Sequence, residues 1–193
     1  MKNIFICIIL ICIISNAYGI ILTFDDISYS SPNGHGDFTG PYNSFNFSTN
    51  MDWIDTVGSS WNYGSVSGQF TLLNNHGGAA VITAADSSDF TLTNLWARIW
   101  GAGTRTGNIR GYNNGSLIWT QSMTISTSWS YFESAYSNSI DELQIDLGSH
   151  FLIDDLALNE TTIPEPSTLF LFACICLGII FFKKNKSSTD IQT

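Results

Sequence analysis

Lysine is missing from the whole middle of this 193-residue chain: none occurs between Lys2 and Lys183, and arginine appears only at Arg98, Arg105 and Arg110. Residues 20–163 set 14 Asp+Glu against those 3 arginines, a net charge of −11. A field of that sign repels phosphate backbones, which excludes nucleic acid as a partner. Among glycans it favours neutral or cationic chains over uronates and sulfates, unless calcium bridges them. Cysteine is equally confined, with Cys7, Cys12, Cys174 and Cys176 all inside the apolar ends. The middle therefore has no disulfide framework, thiol nucleophile or thiolate metal site. At this length one domain with accessory segments is expected, and a large multidomain enzyme is excluded.

Catalytic spacings are also missing. His35, His76 and His150 are far apart in sequence, and no His-Glu-x-x-His occurs. Gly64-Ser65-Val66-Ser67-Gly68 places its serine off the nucleophile-elbow position. Gly101-x-Gly103-x-x-x-Gly107 is wrongly spaced for a dinucleotide loop and no helix pattern follows it. The expectation is a protein without catalysis and without a required cofactor. A glycoside hydrolase built from a carboxylate pair stays open as a third reading, because spatial clustering of acids is invisible in a sequence.

What is present begins with the ends. Met1-Lys2-Asn3 precedes eleven apolar or thiol residues, Ile4–Ile14, and a small-residue site at Ala17-Tyr18-Gly19. Eleven residues span about 16 Å as a helix, too little to cross a bilayer, so residues 1–19 read as a secretory signal peptide cut after Gly19. At the other end Ile163-Pro164-Glu165-Pro166-Ser167-Thr168 leads into the apolar run Leu169–Phe182 and then Lys183-Lys184-Asn185-Lys186. A short transmembrane helix over about 168–182, closed by lysines, holds the acidic body outside the cytoplasmic face.

This order of Pro-Glu-Pro, short helix and basic cluster resembles the PEP-CTERM sorting signal of exported proteins in exopolysaccharide-producing Gram-negative bacteria. The resemblance covers residues 163–186 within a terminal segment 163–193. It implies recognition by an exosortase-type membrane protease at Pro164, Glu165 and Pro166, a membrane-anchored precursor, and release to the cell surface or matrix.

The body, 20–162, alternates apolar and polar residues in short stretches: Phe70-Leu72, Val81-Ile82, Phe90-Leu92, Leu117-Trp119, Met123-Ile125, Leu143-Ile145-Leu147 and Phe151-Ile153. Period two means strands. Glycines punctuate them, Gly107 and Gly111 included, and Asn114-Gly115 is the chemistry of a tight hairpin. With no amphipathic helix pattern, the fold expected is an all-β antiparallel sandwich of jelly-roll type. Asparagine glycosylation triplets at Asn46, Asn114 and Asn159 matter only in a host that uses them.

Three stretches, Asp89–Leu95, Ile109–Leu117 and Phe151–Asn159, together with Ile21–Ile27, resemble the jelly-roll body of PEP-CTERM proteins. The closing strand is also similar to that of galactose-binding-like and carbohydrate-binding jelly rolls, in which an aspartate there often helps to hold a structural calcium. That likeness implies a role for Asp154 and Asp155. If the terminal strands pair, Asp25 and Asp26 become their neighbours, and four carboxylates are the hard oxygen ligands calcium takes. Water-facing acids at strand ends are the alternative.

Six tryptophans lie in the body, and Trp96, Arg98 and Trp100 share a strand face by period two. Exposed, that face is a sugar platform; buried, it is core. Two readings follow. One is a non-enzymatic, exosortase-sorted surface or matrix protein associated with exopolysaccharide. The other is a carbohydrate-binding module using the tryptophan face.

Overall fold

The computed structural model describes residues 18–27, 34–58 and 60–160. Most of the expected signal peptide and the whole sorting segment 163–193 lie outside them. Twelve strands follow in chain order: β1 (Tyr18–Leu22), β2 (His35–Asp37), β3 (Phe45–Phe47), β4 (Met51–Asp55), β5 (Phe70–Asn74), β6 (Ala80–Ala84), β7 (Phe90–Ile99), β8 (Thr104–Asn113), β9 (Ser116–Ser126), β10 (Ser130–Glu133), β11 (Glu142–Asp146) and β12 (Phe151–Glu160). Among the described residues there is no helix.

The strands form two antiparallel sheets. One runs β10-β7-β12-β5-β4-β2, with β1 added beside β12; the other runs β3-β6-β11-β8-β9. The alternation read from sequence is the alternation of burial. In β6 Ala80, Ile82 and Ala84 are buried while Val81 and Thr83 are partly open, and in β11 Leu143 and Ile145 face inward. Phe45, Phe90, Phe151, Leu72, Ile82 and Ile109, drawn from both sheets, lie in one continuous core and are fully buried. Each such side chain contributes about 1.5–3 kcal/mol by leaving water. Asn114 and Gly115 take φ of 49° and 72°, the left-handed pair a two-residue hairpin requires, and join β8 to β9.

One sequence expectation changes. Gly107 and Gly111 are not turns; they sit inside β8. A Cβ at Gly107 would lie 2.2 Å from the Asp146 carbonyl oxygen, and one at Gly111 2.4 Å from the Trp119 ring. Close approach by backbone and indole, not turn geometry, demands glycine there. At the start of the body, Ile20–Leu22 of β1 pair with Leu156–Leu158.

The closing strand β12 positions the site. One edge pairs with β7 along its length; the other pairs first with β5 at Leu152 and Ile153, then with β1 from Leu156 onward. At the changeover the register with β7 shifts between Asp154 and Ala157, and Asp155 takes a left-handed φ of 45°. This is a β-bulge, and aspartate tolerates the left-handed backbone better than most residues.

Candidate functional site

Between β4 and β5 lies a loop, residues 56–69, described except for position 59, and from Trp61 to Ser67 it packs on the outer face of the larger sheet. Its ends are tied where Thr56 N and Thr56 Oγ1 both donate to Gln69 O, at 2.9 and 2.8 Å. Under it a second small core forms from Ile54, Leu73 and Leu152, with Trp61, Tyr63, Trp100 and Trp129 packed against it. Two ionisable side chains of the sheet hold the loop down. Arg98 donates to Tyr63 O and sits 5.8 Å from the Trp129 ring centroid. Asp154, fully buried, accepts from Val66 N at 2.6 Å and Ser67 N at 3.2 Å. Burial pushes the Asp154 carboxyl up to about 7 against the pull of those N–H donors, and burial lowers the Arg98 guanidinium.

The expected Trp96-Arg98-Trp100 face is therefore neither an open platform nor core. Trp96 and Arg98 do share the outer face of β7, half-buried, but the loop claims Arg98. Trp96 packs on Tyr131 of β10 at 5.1 Å. Trp100, just beyond β7, is braced by Trp61 at 4.6 Å and 88° and by Tyr63 at 4.9 Å, and meets His150 at 5.8 Å. His35 lies beyond, against Trp61 at 5.1 Å. Trp53 and Trp119 are core.

At this end of the sandwich Trp100 borders an open recess of about 360 Å³, lined also by Asn75, Gly101, Arg105, Ser149 and His150. The linings come from the β5–β6, β7–β8 and β11–β12 connections and the start of β8. Arg105 Nη1 donates to Leu147 O at 3.3 Å and to Ser149 O. Gly148, at φ +84°, gives it room, because a Cβ there would lie 2.7 Å from Arg105 Cδ. Asn75 Nδ2 donates to Asp52 Oδ2 at 2.8 Å. Asp52 is nearly fully buried, and burial, then the facing Asp37, raises its carboxyl, opposed by the Asn75 bond. Asn75, Arg105, Ser149 and His150 carry no local sequence signal, since three separate stretches of chain supply the recess.

The four aspartates singled out by sequence do converge, with one exception. Around the 65–68 turn, Asp25 Oδ1 accepts from Gln69 N at 2.7 Å and Phe70 N at 3.3 Å. Asp155 Oδ1 accepts from Ser67 Oγ at 2.6 Å, and the same hydroxyl lies 3.5 Å from Asp25 Oδ2. Gly68 completes the cradle: a Cβ there would overlap the Asp25 carboxylate. Asp26 turns away to accept from the Tyr42 hydroxyl, so it is not part of the group. Carboxylates and a hydroxyl are of the type calcium takes, yet both oxygens of Asp154 and of Asp25, and Oδ1 of Asp155, already face N–H or O–H donors, Asp154 Oδ1 accepting from Asp155 N at 2.9 Å. Among the described residues no three His, Cys, Asp or Glu side chains are gathered closely enough to hold a metal by themselves. As they stand these residues form a hydrogen-bonded clasp between β1, β12 and the loop.

Neither known protein families nor curated proteins give a match to this chain. Among solved structures it is similar to a family 22 carbohydrate-binding module of Clostridium thermocellum, at 16% identity and TM-score 0.39 over 70% of this chain and 99% of that one. It is also similar to a family 11 module from Clostridium thermocellum, at 12% identity and TM-score 0.35 over 75% and 96%, and to a family 29 module, at 13% and 0.32 over 75% and 89%. The sandwich architecture rests on the strand pairing itself, and these likenesses carry nothing about a ligand.

Proposed function

We propose that the chain is an exported, non-enzymatic glycan-binding protein of the cell surface or matrix, sorted by its PEP-CTERM-like end and cut near Pro164, Glu165 and Pro166 by an exosortase-type protease. The observation that carries the binding half is Trp100. Its ring packs on Trp61 and Tyr63 and borders a recess with an amide and a guanidinium close by. A braced indole beside fixed hydrogen-bonding groups suits a sugar, whose apolar face stacks while its hydroxyls need partners. An unbiased glycan array with the purified full-length protein tests it: retention of a glycan is expected, and a blank array against a broad glycan set removes the reading. A blank array would leave the second reading, a structural matrix protein, which the capture of Arg98 by Tyr63 O favours because that contact spends the sequence's proposed platform on packing.

A structural calcium at Asp25, Asp154 and Asp155 belongs to the same proposal. It is supported by Ser67, whose hydroxyl meets Asp155 and Asp25 and whose N–H meets the fully buried Asp154. An ion bound only by the folded state stabilises it by about 2.7 kcal/mol at a hundredfold excess over Kd. The midpoint of thermal unfolding should rise on replacing EDTA with calcium; an unchanged midpoint leaves the clasp to hydrogen bonds alone.

A further inference from the structure

We infer that the recess at Trp100 binds a carboxylate-bearing pyranose, a uronate residue, with Arg105 as the carboxylate partner. The inference rests on the glycan-binding reading and names the class of sugar. It runs against the net charge of the body, which favours neutral or cationic chains, because a local partner decides once contact is made and the distant field is screened beyond about 10 Å at 0.1 M salt.

The first support is the state of Arg105. Acids outnumber arginines 14 to 3 over residues 20–163, yet among the described residues no carboxylate lies within salt-bridge distance of Arg105, whereas Arg110 pairs with Asp146 at 3.4 Å. The side chain is nonetheless fixed. Its Nη1 is spent on two backbone carbonyls, and Gly148 lets the chain pass against its methylenes. The Nε and Nη2 groups keep three N–H donors with no acceptor among the described residues, in the fork geometry that suits a carboxylate.

The second support is the rest of the lining. Asn75 Nδ2 donates to Asp52 Oδ2 at 2.8 Å, which leaves Asn75 Oδ1 as an acceptor for a hydroxyl. The Trp100 ring supplies a flat apolar wall. An acceptor, a flat wall and a guanidinium with its Nε and Nη2 donors unused together ask for a hydroxylated ring that carries an anion. Among the described residues no carboxylate lines the recess; Asp52 is buried and reaches it only through Asn75.

The test is calorimetric titration of the full-length protein with short oligosaccharides of galacturonic, glucuronic and mannuronic acid, each beside its methyl ester, which keeps the ring and removes the charge. One acid is expected to bind at least tenfold more tightly than its ester. Arg105→Gln should abolish that preference, and Arg105→Lys, which keeps the charge but loses the fork, should recover part of it. Equal affinity for acid and ester, or an acid preference that survives in Arg105→Gln, overturns the inference. If Arg105→Gln does not fold, the acid-against-ester comparison on the wild type still decides. Binding of neutral glycans without any uronate overturns the inference and leaves the glycan-binding reading standing; binding of neither removes both.

Discussion

Asp154 is the residue on which loop and strand most depend, and its burial makes a prediction about pH. Its carboxyl is raised from an ordinary 3.8 to about 7. A group raised on folding contributes stability that is full below the unfolded value and is lost as pH rises through the folded one. In EDTA the protein should therefore unfold at a higher temperature at pH 5 than at pH 8. Because the folded value is about 7, the loss runs over about two pH units, from 5 to 7, or roughly 2.7 kcal/mol as a ceiling. Asp154→Asn keeps an oxygen for Val66 N and Ser67 N, gives up the acceptor for Asp155 N and removes the charge, so it should flatten this dependence. A variant whose midpoint tracks pH as the wild type does would show that Asp154 is not the group responsible. None of this was readable in the sequence. The Asp154-Asp155 pair stood out there as ligand chemistry, but burial beneath a loop 88 residues away in the chain is a tertiary fact.

At the scale of elements, the loop 56–69 and strand β8 carry opposite lessons. The loop is fastened by Arg98 and Asp154 rather than by strand pairing, so Arg98→Met should keep the packing of the methylenes and lose the bond to Tyr63 O. Proteolysis within residues 57–69 should then quicken severalfold while exchange in β7 and β12 stays slow, as expected for local opening. Equal cleavage of wild type and variant would contradict that fastening. In β8, Gly111→Ala drives a methyl into the Trp119 ring and Ile140, and should cost about 1–3 kcal/mol in denaturant unfolding. The strands themselves were legible because period-two burial follows directly from pleat geometry. Period two also placed Trp96 and Arg98 on one face correctly. It could not reveal the loop that covers part of that face, since Trp61 and Tyr63 reach Trp100 from across the sheet. It missed the recess for a similar reason: Asn75, Arg105 and His150 are adjacent only because three connections end at the same edge of the sandwich.

For the whole molecule, destination and binding are separate claims resting on separate parts of the chain. The sorting proposal predicts that mass spectrometry of protein released by an exosortase-bearing host finds a new C-terminus near Pro164-Glu165-Pro166; only chains ending at Thr193 would count against it. The central claim is that the braced indole at the end of the sandwich meets glycan. Affinity gel electrophoresis of Trp100→Ala and Trp96→Ala, run beside thermal unfolding of each and against a glycan retained by the wild type, tests it most directly. The account predicts that Trp100→Ala stays folded and loses about 1–2 kcal/mol of binding, roughly five- to thirtyfold, while Trp96→Ala, packed on Tyr131 away from the recess, binds as the wild type does. Full retention by a folded Trp100→Ala protein would contradict it.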